Sequence, residues 1–114
     1  MLSDRTTIIH ATHLTGGDIA MIAASDTVVS LCPTTEADLG DGIARVKDLQ
    51  DAGVRMAIGT DEDVITDPFT ELRMVESTAR LVTGTRGVIG CEALWNFGTR
   101  NGVESLRPAA EPLP

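Results

Sequence analysis

Four polar clusters in this sequence combine residue types that bind metals, move protons or attack carbon. His10 is followed by Thr12 and His13, and the string Cys32-Pro33-Thr34-Thr35-Glu36 carries a thiol and a carboxylate. Asp61-Glu62-Asp63 is an acidic triplet, with Asp67 a little further on. A histidine and an aspartate brought together can serve as metal ligand, base or substrate contact. Cys32 with His10 would make a thiol–imidazole pair, although no third orienting group is evident. Each residue also has a plainer reading. His10 suits a satisfied strand-end histidine and His13 a loop residue before a helix. His10 and His13 have the spacing of one helix face, but the segment reads as strand then turn, so the pair is a weak zinc motif. Cys32 suits a small buried hydrophobe and the triplet a solvated loop. Repulsion among the three carboxylates is expected to raise the pKa of one of them. Gly16-Gly17 and Gly40-x-Gly42 lack the spacing of a dinucleotide-binding loop.

The elements that must carry these residues follow from the apolar pattern. Residues 6–10 are short and β-branched and read as a strand, as do 27–31, closed by Cys32-Pro33, and 54–58, ended by Gly59. Thr15 to Asp18 is turn and cap chemistry before a short helix at 19–24. The polar run 34–42 reads as a long loop. Ile43, Val46 and Leu49 then mark a helix face, with Gly53 as its stop. A second loop spans 60–66. Asp67-Pro68 predicts an N-cap with proline at the first helical position. Phe69, Leu72, Val75, Ala79 and Val82 are the expected buried stripe of the longest helix, ended by Gly84. A final helix is expected over 91–99, around Leu94 and Phe97.

The order β-α-β-α-β-α-α, with strands far enough apart for helical crossovers, predicts an α/β fold with a parallel sheet. All four polar clusters then follow the C-terminal ends of strands, the edge where such sheets bind ligands. Three parallel strands leave two open edges with no device to protect them. The sheet is expected to be part of a larger one, completed by self-association or by a partner.

Composition narrows the partners. The chain has 114 residues, 42% hydrophobic and 23% charged, which argues against disorder. Seventeen acidic against nine basic residues give a net charge of −8, so no nucleic-acid partner is expected. No apolar run suggests a membrane partner, and no start suggests a signal peptide. Two cysteines, Cys32 and Cys91, form no disulfide framework; reduced thiols in a cytoplasmic protein are expected. Residues 1–106 are expected to form the folded part, and 107–114, with Pro108, Pro112 and Pro114, a frayed tail.

The strings His10-Ala-Thr-His-Leu-Thr15, Leu31-Cys-Pro-Thr-Thr-Glu36, Leu39-Gly-Asp-Gly42, Ile58-Gly-Thr-Asp61 and Asp67-Pro-Phe-x-Glu71 fall in order. Together they resemble the C-terminal part of an amidohydrolase-superfamily deaminase. The run from Cys32 to Gly42 and the Asp67-Pro-Phe-x-Glu-Leu-Arg string are most similar to formimidoylglutamate deiminases. The resemblance implies a partial (β/α)8 TIM barrel, with the three parallel strands as barrel strands six to eight. It implies hydrolysis of a small-molecule amidine: N-formimidoyl-L-glutamate and water give N-formyl-L-glutamate and ammonia, a step of histidine degradation. It also implies one divalent metal, usually zinc, in the full-length enzyme. His10 matches the strand-six histidine that contacts the hydrolytic water or the substrate. Asp61 matches the strand-eight aspartate, a metal ligand that also takes the water's proton. The family's His-x-His and His-x-x-Glu motifs are not in this sequence, so the chain alone is expected to be inactive and not to retain the metal. Where the family generally has Ser-His after that aspartate, this chain has Glu62-Asp63. Another amidohydrolase, such as a nucleobase or triazine deaminase, and a non-catalytic interaction module are the alternatives.

Overall fold

In a computed structural model the described residues are 1–106; the tail expected at 107–114 lies outside them. The strands are β1 (Thr7–Ile9), β2 (Val28–Leu31) and β3 (Met56–Ile58). Between β1 and β2 runs α1 (Gly16–Ala24), and between β2 and β3 run α2 (Pro33–Leu39) and α3 (Val46–Asp51). Three helices follow: α4 (Pro68–Thr83), α5 (Cys91–Gly98) and α6 (Arg100–Ser105). The sheet order is β1-β2-β3 and both pairings are parallel, with Ile8 opposite Val29 and Ser30 opposite Ala57.

Strand alternation divides the sheet into two faces. Val29, Leu31 and Met56 meet Ile22, Leu49, Leu72, Val75 and Phe97 from the helices in one aliphatic core. Each such side chain, fully buried, contributes roughly 1.5–3 kcal/mol. On the other face, Thr7, Ile9, Ser30 and Ala57 line an open cleft with Gly102 and Val103 of α6. Among the described residues no helix is long and apolar enough to cross a membrane.

Local chemistry explains the helix starts. Thr15 caps α1: its hydroxyl accepts the Asp18 N–H, and the Asp18 carboxylate accepts the Thr15 N–H at 2.7 Å. Asp67 caps α4 by accepting from the Phe69 N–H, with Pro68 at the first helical position.

Four expectations are corrected. The run 34–42 is not a long loop: it begins as helix α2. Pro33 is pre-set for a first helical position, Gly40 ends the helix in the left-handed region, and Thr34, Thr35 and Glu36 are bonded and buried while Asp38 is exposed. Ile43 lies before α3 and is exposed. The stripe of α4 is narrower than expected: Leu72, Val75 and Ala79 are buried, but Phe69 and Val82 are exposed. Glu71 and Glu76 are buried in their place, because backbone donors need them. Glu71 accepts from the Thr34 N–H and hydroxyl. Glu76 accepts from the Val88 and Ile89 N–H groups and from Arg80. Finally, α5 is not the last helix. The chain continues into α6, whose Asn101 donates to the Met56 carbonyl at 2.8 Å.

Candidate active site at the strand ends

The three strands deliver their following residues to one place. His10 still donates its N–H to the Ser30 carbonyl at 2.9 Å, extending the ladder by one step. It then turns sharply, with φ of 71° at His10 and 53° at Ala11, a region L-residues adopt at a cost. The Cys32 N–H, at the end of β2, donates at 2.8 Å to Oε1 of Glu36, one turn into α2. After β3, the Gly59 N–H donates to the Leu31 carbonyl at 2.9 Å. A Cβ at position 59 would stand 3.4 Å from the Cys32 sulfur, so glycine lets the two strand ends approach. The chain next turns at Asp61 and Asp63, both with positive φ. Thr35 ties that turn to α2 through its hydroxyl, which donates to the Thr60 carbonyl at 3.1 Å.

The result places the His10 ring between two carboxylates. Nδ1 lies 3.4 Å from Glu36 Oε1, and Nε2 lies 3.3 Å from Asp61 Oδ2. Glu36 is nearly inaccessible, at 6%, whereas His10 and Asp61 remain open to solvent at 34% and 44%. His10, Cys32 and Asp61 each offer one ligand-type atom, and these atoms lie within 4.8 Å of one another.

Electrostatics separates the members. Burial, with the charges of Glu36, Asp61 and Glu71 around it, pushes the Cys32 thiol up to about 11. Such a thiol stays protonated at neutral pH, which opposes its use as a nucleophile paired with His10. Burial also raises Glu36 above the ordinary carboxylate range, against the bonds from Cys32 and His10 that lower it. Glu62 is raised too, but the acidic triplet is not the main reason. A hydrogen bond with Asp38 leads, and Asp61 contributes least.

The structure thus brings His10 and Asp61 together and adds Cys32 beside them. His13 is not part of this group: its Nε2 donates to the Asp41 carbonyl at 2.7 Å. Asp67 caps α4 instead. Glu36 is the residue that sequence reasoning passed over. Its signal was a carboxylate four positions after the strand-end Cys32, one helical turn on, from which it reaches back to the Cys32 N–H.

Comparison with known proteins fits this arrangement. The amidohydrolase family model matches residues 1–108. The chain belongs to the amidohydrolase family. It is 31% identical over 93% of its length to a 5-methylthioadenosine/S-adenosylhomocysteine deaminase of Halobacterium salinarum, covering 25% of that protein. It is 40% identical over 80 residues, 70% of its length, to a formimidoylglutamate deiminase of Pseudomonas aeruginosa, covering 18% of it. A Brucella melitensis amidohydrolase superposes with a TM-score of 0.86 at 31% identity over 91% of this chain and 25% of that one. A zinc-bound adenosine deaminase of Xanthomonas campestris also gives 0.86, at 28% identity over 92% of this chain and 25% of that one. The chain therefore spans about a quarter of the length of these relatives. The structural neighbours are TIM barrels, and the three parallel strands with their helices are part of a barrel wall of this family.

The amidohydrolase fold implies a divalent metal, and the donors here fit part of its shell. Asp61 supplies a carboxylate oxygen and His10 an imidazole nitrogen, both ligand types for zinc. Cys32 offers a third ligand-type atom, whose proton burial and the neighbouring carboxylates hold in the metal-free protein. A catalytic zinc takes three protein ligands, so these residues fit as a partial set.

Proposed function

We propose that this chain is the strand-six to strand-eight part of an amidohydrolase deaminase acting on an amidine, N-formimidoyl-L-glutamate. The supporting observation is the run from Cys32 to Gly42, which forms α2 and its cap, together with the 40% identity to a formimidoylglutamate deiminase. In that reading Asp61 holds one divalent metal, zinc by family, with His10 beside it. Bound there, the ion supplies Lewis acidity and makes water acidic enough to lose a proton near neutral pH. Asp61 takes the water's proton. His10 orients the water or the substrate through Nε2. Oxygen adds to the amidine carbon to give a tetrahedral centre. Asp61 passes that proton to the departing nitrogen and then carries the hydroxyl proton there as well, so the nitrogen leaves as ammonia while the carbon–oxygen double bond forms. The chain alone offers too few ligands for this work and is inactive by itself. The barrel's remaining strands cover its open edges, and a cytoplasmic setting suits its free thiols.

A second reading rests on the 31% identity over 93% of the chain to the Halobacterium deaminase, which suggests an adenosine-type substrate. Chimeras separate the two. Residues 1–106 replace the matching segment of the Pseudomonas enzyme in one and of the Halobacterium enzyme in the other. Ammonia release from N-formimidoyl-L-glutamate by the first, abolished by Asp61→Asn, is the expected result. An inactive first chimera beside an active second one would overturn the amidine assignment.

A further inference from the structure

We infer that Glu36 is a positioning residue that fixes the tautomer of His10, placing its proton on Nδ1 and leaving Nε2 with a lone pair toward Asp61. The argument starts from Oε1 of Glu36. That atom accepts the Cys32 N–H at 2.8 Å, the part of an unprotonated oxygen, so a proton taken up by Glu36 belongs on Oε2. The same Oε1 faces His10 Nδ1 at 3.4 Å. An acceptor oxygen in hydrogen-bond geometry with a ring nitrogen requires that nitrogen to carry the hydrogen, and Asp61 Oδ2, 3.3 Å from Nε2, is an ion-pair contact without that geometry. The contact is longer than the roughly 2.9 Å of a well-made N–H···O bond, as such contacts often are before a substrate completes the site. Glu36 cannot swing away easily, because it is buried, and its helix α2 is fixed by Thr35 to the Thr60 carbonyl.

His13 provides an internal contrast. Its Nε2 lies 2.7 Å from the Asp41 carbonyl, which can only accept, so His13 carries its proton on Nε2. The chain's two histidines are therefore held in opposite tautomers, each by one protein acceptor. The consequence for His10 is functional. With Nδ1 committed to a buried carboxylate, the solvent-accessible Nε2 is free to accept a hydrogen bond from water or a substrate N–H beside Asp61. Carboxylates orient the rings of metal-site histidines in the same way, by accepting from the nitrogen that faces away. This role rests on the proposed use of His10 in hydrolysis; the tautomer itself does not.

The test uses the 114-residue chain with 15N-labelled histidine, without metal or substrate, at a pH where both rings are neutral. Two-bond nitrogen–proton correlation spectra of wild type, Glu36→Gln and Glu36→Ala report each ring's tautomer. Wild type is expected to show His10 as Nδ1–H and His13 as Nε2–H. Glu36→Ala is expected to shift His10 toward the Nε2–H mixture of a free imidazole, with His13 unchanged. Glu36→Gln, whose amide oxygen can replace Oε1, is expected to keep the Nδ1–H form. A wild-type His10 found as Nε2–H overturns the inference, as does a folded Glu36→Ala chain whose His10 stays fully Nδ1–H. If Glu36→Ala does not fold, the wild-type spectrum decides alone. No turnover is read, so this outcome is independent of the substrate assignment.

Discussion

The two ends of the sheet are built on opposite plans. At the N-terminal ends of the strands, α6 closes the structure with hydrogen bonds and ion pairs, although the Arg55 Nε there is buried without a partner. Asn101 donates to the Met56 carbonyl, and Arg55 reaches Glu104, the Asp26 carboxylate and the Asp26 carbonyl. At the C-terminal ends, a buried carboxylate faces a histidine, and His10, Ala11, Asp61 and Asp63 hold left-handed backbone. One end stabilises the fold. The other gives up local comfort to hold reactive groups close together, supported from beneath by the Glu71 bonds to Thr34. Barrel enzymes in general show this division between a stabilising face and a catalytic one.

Substitutions can break or sharpen that contrast. The largest effect is expected at the support under the site. Glu71→Ala leaves the Thr34 N–H and hydroxyl buried without a partner and should cost about 3 kcal/mol, read from urea unfolding midpoints. At the opposite end, Asn101→Ala removes one neutral hydrogen bond and should cost only about 1 kcal/mol in the same assay. A larger loss there than at Glu71 would show that the support under the site is not the costlier of the two to remove. Backbone strain should show the opposite sign. Ala11→Gly relieves a left-handed alanine and should raise stability by about 1 kcal/mol. Asp26→Gly, at the other end, should bring no such gain, since aspartate tolerates that region and the change also removes the exposed ion pair with Arg55.

The smallest effect is a pH dependence. Burial raises the folded-state pKa of Glu36 above its ordinary 4.5, so the native state favours the protonated acid. Its stabilising contribution is full below the ordinary value and is lost as pH rises through the raised one. Glu36→Gln should therefore gain on wild type as pH rises above 4.5, and the gain should fade in acid, as measured by thermal midpoints across that range.

Much of the positioning was legible in the chain. Three short strands, the Thr15 and Asp67 caps and the place of His10 and Asp61 after their strands follow from apolar pattern, capping chemistry and spacing. Those are local effects, settled by residues within a turn of one another. Helix α2 was hidden because its face is polar. Thr34, Thr35 and Glu36 read as solvated until their partners, Glu71, Thr60 and His10, are seen in space. The stripe of α4 was misjudged for the same reason: apolar spacing promised Phe69 and Val82 to the core, but donors at the start of α2 claimed Glu71 and loop backbone donors claimed Glu76 instead.

The sequence by itself determined an α/β chain with a parallel sheet and its chemistry at one edge, because hydrophobic period and capping are written locally. Only the tertiary structure decided that Glu36 meets His10 and that Cys32 keeps its proton. Hydrogen-bond partners and desolvation depend on what residues distant in the chain bring to the same few ångströms.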